Sequence, residues 1–402
     1  VLFRSETMRN TVSFVLLLGV FLQLAASKHM VCYFTGWSTY RWGEGKYEVE
    51  DIDPFLCTHY IFAFAGIDYL HEVISLDPYN DLEENWGKGA FKRFTKLKEQ
   101  NPALKTLLGV GGWNEGSQKY SDMASSPSSR TRFIQSAIQM LTRHNFDGMD
   151  LDWEYPGSRD GAKPEDKANY SLLVKELKEE FARWNLMLTA AVSAGRNTID
   201  HAYEISEVAK YLDLINVMTY DYHGATWESY TGANSPMYYA PRDEKYDPLM
   251  NVNYSINYWI EQGAPKEKII MGVPLYGHSY STAPMTGPDY FYQISYGPGI
   301  VGQFTNTAGT MGYNEICKML LTEATAWDTM WDDAYQVPYI VDKIYKTKFI
   351  SYDDIKSVTY KAKFIRSMGI GGAMVWSLDT DDFHNVCHDG RYPLITTIKS
   401  NM

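Results

Sequence analysis

The residues best placed to do chemistry lie in one short run, Phe146-Asp147-Gly148-Met149-Asp150-Leu151-Asp152-Trp153-Glu154-Tyr155-Pro156-Gly157. Asp150, Asp152 and Glu154 alternate there with Met149, Leu151 and Trp153. A period of two is that of a β-strand, whose successive side chains point to opposite faces. The apolar set can pack under helices, and the acidic set then faces the other way with its members about 7 Å apart. Three desolvated carboxyls at that spacing cannot all ionise freely, so at least one is held protonated toward neutral pH. A general acid needs that state. Glu154 stands nearest the C-terminal end of the run, where parallel barrels carry their chemistry, and is the candidate proton donor. Two other readings are a solvated face and a metal site. The apolar flanks argue against the first. Acids on one strand diverge along its axis, which argues against the second, and no metal or cofactor is expected.

A strand that buries acids needs a scaffold on both sides. Apolar, β-branched or aromatic runs recur at 30–35, 59–65, 106–110, 148–153, 187–192, 214–218, 269–273 and 372–376. Between them lie amphipathic stretches with apolar residues at three-and-four spacing, clearest over 129–144 and 166–184. Eight strands alternating with helices predict an α/β fold, a (β/α)8 TIM barrel, over residues 28–402. One interval, roughly 276–368, is too long for a single crossover. Short strand-like pieces at 337–341 and 348–352 predict an α+β subdomain over 277–350, inserted between strand 7 and helix 7 on the catalytic face. No separate binding module is read after the eighth run.

The chain has 402 residues, a net charge of −12 and 45% hydrophobic residues. That acidity argues against a nucleic-acid partner and is compatible with a neutral substrate. Met8 and Arg9, an apolar run from Val12 to Leu24 and small residues at Ala25, Ala26 and Ser27 read as upstream residues and an export signal over 1–27. The run is too short for a membrane anchor, since a span needs about 20 apolar residues. Secretion to an extracellular, oxidising setting is the expectation. The four cysteines, Cys32, Cys57, Cys317 and Cys387, contain no CxxC pair and suggest two disulfides, for which three pairings are open. The sequence-neighbour pairing is preferred, with loops that would stabilise by about 3.5 and 4.5 kcal/mol. Asn169-Tyr170-Ser171 and Asn253-Tyr254-Ser255 are glycosylation sequons.

The acid run resembles the DxxDxDxE signature strand of glycoside hydrolase family 18, the chitinases and chitinase-like lectins, with Asp147, Asp150, Asp152 and Glu154 as its four acids. The likeness continues in order through Val31–Trp37, Cys57–Gly66, Gly109–Asn114, Met218–Gly224, Gly272–Gly277 and Gly371–Ser377. The long interval after the seventh strand is similar to that of the animal subfamily, and the family's disulfide pattern also favours Cys32 with Cys57 and Cys317 with Cys387. The resemblance implies hydrolysis of chitin or chito-oligosaccharides by a monomeric protein, through a retaining mechanism in which the substrate's acetamido oxygen attacks. It implies Glu154 as acid, Asp152 holding the acetamido N–H, Asp150 sharing a proton with Asp152, and Tyr220 holding the acetamido oxygen. Trp376 would floor the reacting sugar. Trp113, Tyr33, Phe64, Tyr276 and Trp227 would line the cleft, Met218 would pack against substrate, and Asp221 would bond sugar hydroxyls. Asp147 would orient structure nearby. The alternative is a non-catalytic chitin-oligosaccharide-binding lectin, a group that typically lacks the donor Glu or its neighbouring Asp. Three residues depart from the pattern: Gly109 where Ser is usual, Glu115 where an aromatic is frequent, and His278 where Arg is usual.

Overall fold

The structure, a computed structural model, describes residues 28–402, and the segment expected to be an export signal lies outside them. Eight parallel strands form the frame: β1 His29–Thr35, β2 His59–Ile67, β3 Lys105–Gly111, β4 Gly148–Asp152, β5 Met187–Ser193, β6 Leu214–Met218, β7 Ile269–Pro274 and β8 Gly372–Trp376. Each pairs with its neighbours in chain order, and β8 returns to β1, so the sheet closes into a (β/α)8 barrel.

The period of two divides each strand between two cores. Cys32, Phe34, Met149, Leu151 and Trp153 point outward under the helices. Val31, Tyr33, Ile61, Leu107, Ile270 and Met374 point inward and fill the barrel. Outside, helix α1, Pro127–Arg143, buries Phe133, Ile134, Ala137 and Leu141. It begins two residues before the periodicity predicts, because the Ser126 hydroxyl caps the Ser129 N–H and Pro127 occupies the first turn, where a missing N–H costs nothing. Helix α2, Asp166–Arg183, buries Tyr170, Leu173, Val174, Leu177 and Phe181 at three-and-four spacing.

Between β7 and helix α3, Ile355–Met368, the chain builds a second sheet of six antiparallel strands. Tyr276–Thr282 lies within it, flanked by Ser295–Pro298, Thr310–Gly312 and Lys348–Ser351, and the sheet continues through Val337–Asp342 to Trp327–Asp332. Tyr280, Phe291, Tyr335, Val337, Tyr339 and Phe349 give it a core of its own. Only the Val337 and Lys348 strands are legible as strands in sequence. Tyr276–Thr282 is rich in Ser, Thr and Gly, and its pairing depends on partners distant in the chain. Cys32 is bonded to Cys57 and Cys317 to Cys387, with Cα atoms 6.3 and 6.0 Å apart. The second bond ties the subdomain's helix, Tyr313–Thr322, to the chain beyond β8.

Candidate active site

The acids are set by how β4 ends. Its last ladder residue is Asp152, opposite Gly111 of β3, so Trp153 and Glu154 lie just beyond the sheet. The Gly112 N–H donates to the Asp152 carbonyl at 2.8 Å. Gly111 has φ 127°, and a Cβ there would lie 2.2 Å from that carbonyl oxygen, so only glycine lets the two strand ends approach this closely.

Asp150 and Asp152 are 0% and 2% exposed. Asp150 accepts from the Tyr33 hydroxyl at 2.5 Å, the Asn216 amide at 3.0 Å and the Thr189 hydroxyl. Burial nevertheless raises its carboxyl. Asp152 is pushed well above the carboxylate range by burial and then by the charge of Asp150, and its Oδ2 has no partner. Two carboxyls so placed hold one proton between them at neutral pH. Glu154, half-buried above them, is raised to about 7 by burial, reinforced by the charge of Asp221 and opposed by Tyr155 and Arg159.

Glu154 opens on a cleft with two halves that meet at Trp37, Trp113, Glu154, Met218, Tyr220, Asp221, Tyr276 and Trp376. Trp376, at the end of β8, stacks against Phe64 at 5.7 Å and an interplanar angle of 18°, with Tyr33 and Trp37 at 5.3 and 6.1 Å. Tyr33 is buried with its hydroxyl on Asp150, so it belongs to the carboxylate network as well as to the cleft wall. Trp113 and Trp227 are 58% and 53% exposed. The Tyr220 hydroxyl has one protein contact, the Met374 sulfur at 3.5 Å, and so stays available to a ligand. Asp221 accepts from the Tyr276 hydroxyl at 2.5 Å and pairs with His278 Nε2 at 2.7 Å.

Against known proteins, residues 29–381 match the model of glycosyl hydrolases family 18. The chain belongs to that family. It is 42% identical to probable chitinase 2 of Drosophila melanogaster over 90% of this chain and 73% of that protein. It is 39% identical to human chitinase-3-like protein 2 over 95% and 94%. The group IV chitinase of Ostrinia furnacalis in complex with allosamidin superposes with a TM-score of 0.88 at 44% identity, covering 93% of this chain and 98% of that one. Human YKL-39, described as a pseudo-chitinase with retained chitooligosaccharide binding, superposes with a TM-score of 0.84 at 38% identity over 93% and 99%.

The three departures of this family 18 chain have physical accounts. A Cβ on Gly109 would lie 2.9 Å from the Phe64 ring and 3.1 Å from the Phe62 carbonyl, and Asp150 already has its donors from Tyr33, Thr189 and Asn216. Glu115 pairs with Lys119 at 2.8 Å and accepts the Ile67 N–H at 3.1 Å, joining the ends of β2 and β3. His278 is the partner of Asp221. Asp147 is not in the cleft: it immediately precedes β4, accepts the Thr106 N–H at 2.8 Å and pairs with Lys98 at 3.0 Å. Sequence reasoning missed Thr189, Asn216, Trp37 and Arg159. The first two were detectable as lone polar residues at inward positions of apolar strands. Among the described residues, the one group of donors close enough to hold a metal is Cys317, Asp382 and Cys387, whose sulfurs form a disulfide, and the β4 acids form no such group.

Proposed function

We propose that this protein is an active, secreted, monomeric chitinase that hydrolyses β-1,4-linked N-acetylglucosamine chains with net retention. The observation that carries this reading is the pairing of a Glu154 raised to about 7 with an Asp152 that presents an unpartnered oxygen beneath it. A carboxyl near 7 is about half protonated at neutral pH, so it can deliver a proton to a poorly basic leaving oxygen and take one back from water. Most retaining enzymes set a second carboxylate about 5 to 5.5 Å from the acid on the opposite sugar face. Asp152 shares the strand end of Glu154 and cannot reach that face. Its free oxygen suits an amide N–H instead, which turns the acetamido oxygen toward C1.

In the reaction, Glu154 protonates the glycosidic oxygen, the C1–O bond breaks, and the acetamido oxygen bonds to C1. The Asp150–Asp152 pair stabilises the resulting oxazolinium cation, and Tyr220 holds its oxygen. Water then attacks C1 from the vacated side, Glu154 takes its proton, and the ring opens with retained configuration. Trp376, Phe64, Trp113 and Trp227 offer flat faces to pyranose rings, and Met218, Asp221 and Tyr276 complete the cleft. The relatives include chitinases and a pseudo-chitinase that binds chitooligosaccharides, which supports turnover and binding without turnover alike, and the presence of Glu154 and Asp152 favours turnover. A fluorogenic chitobioside assay, with and without chelator and with Glu154→Gln, tests this. Chelator-insensitive release that the substitution abolishes is expected; binding without release would leave a lectin.

A further inference from the structure

Arg159 lies five residues beyond Glu154 in the loop leaving β4. Its guanidinium carbon sits 3.6 Å from the centroid of the Trp113 ring. Its Nη1 donates to the Trp113 carbonyl at 2.8 Å and to the Glu154 carbonyl at 3.0 Å. One planar cation therefore joins two cleft walls that come from different strands, Trp113 beyond β3 and Glu154 beyond β4. Trp113 has little else to hold it. It is largely exposed on a three-residue turn, Trp113–Glu115, bounded by Gly112 and Gly116 at φ 91° and 70°. Arg159 itself sits at φ 72°, a backbone region that long side chains seldom adopt, and the two carbonyl bonds hold it there.

We propose that Arg159 is a positioning residue for the reaction: it clamps one face of Trp113 so that the other stays presented to the sugar beside Glu154. The proposal rests on the chitinase reading above. The same cation acts on the acid. Glu154 is faced by Asp152 from its own strand end, Tyr155 beside it, Tyr220 and Asp221 beyond β6, Tyr276 beyond β7, and Tyr203. Asp221 raises its carboxyl and Arg159 lowers it. Without the cation, Glu154 keeps its proton to higher pH, so the alkaline limb of kcat/KM moves up.

The test compares wild type, Arg159→Gln and Arg159→Lys on chitopentaose. Arg159→Gln is expected to raise KM about two- to fivefold with kcat nearly unchanged, the size of an exposed cation–π contact, and to move the alkaline limb upward. Lysine keeps the charge but neither the planar stack nor the paired bonds, so Arg159→Lys restores the limb and leaves KM raised. In a Trp113→Ala background, Arg159→Gln should no longer raise KM. An unchanged KM and limb in Arg159→Gln, or an equal KM rise with and without Trp113, would overturn the clamp. If wild type does not turn over, the chitinase reading fails separately, and calorimetric titration with chitopentaose reads the same pattern in Kd.

Discussion

Replacing Glu154 by Gln should make the protein inactive and, at alkaline pH, more stable. The carboxyl stands at about 7 against an ordinary 4.5 because burial disfavours its charged form. The sign follows from which state holds the proton. Below about pH 4.5 the carboxyl is neutral in both folded and unfolded chains, and its burial costs nothing. As pH rises through 7 the fold must ionise a desolvated group that the unfolded chain ionises in water. A rise from 4.5 to about 7 corresponds to a penalty of about 3 kcal/mol, complete above pH 8. Glutamine keeps the shape without the charge. Glu154→Gln should therefore match wild type in Tm at pH 4 and exceed it at pH 8 by a few degrees, about 5 °C at most. Chitobioside turnover should fall at least about 100-fold, the contribution of general acid catalysis. Calorimetric melts at the two pH values and a rate assay decide the matter. Equal destabilisation at both, or turnover within a few fold of wild type, would refute the account of Glu154 as a buried proton donor.

The remaining expectations are direct. Tyr220→Phe removes a hydroxyl whose protein contact is a sulfur at 3.5 Å, so kcat should fall about 10- to 100-fold with Tm unchanged; an unchanged kcat would deny it a substrate contact. Gly109→Ser should destabilise by about 1–3 kcal/mol and slow turnover, because the new Cβ meets the Phe64 ring that stacks on Trp376; urea melts check this. Proton NMR of fresh product should show the β-anomer first, and cellulose oligomers of equal length should not be cleaved, since they lack the acetamido nucleophile. Replacing Cys317 and Cys387 by Ser should cost about 4.5 kcal/mol and replacing Cys32 and Cys57 about 3.5 kcal/mol by loop entropy; denaturant midpoints would show the order.

The sequence determined by itself what depends on local period and residue type. Alternation in the 148–154 run placed three acids on one face, and apolar runs separated by helical patterns meant a parallel α/β sheet, because each such strand must bury both faces; closure of that sheet into a barrel rests on the pairing of β8 with β1. The existence of an insertion was also legible, since no single crossover is that long. Tertiary structure decided whatever depends on residues distant in the chain. Asp150 owes its donors to β1, β5 and β6, so Tyr33, which reads in sequence as a cleft aromatic, is also the partner of a carboxylate. Gly109 reads as a loss and proves to be the space that Phe64 occupies. The strand Tyr276–Thr282 has no apolar period because its stability comes from the ladders on either side. Arg159 carries no signal in a polar loop; its contact with Trp113 exists only once β3 and β4 lie side by side, since the pairing of those two strands is what brings residues 46 positions apart into contact.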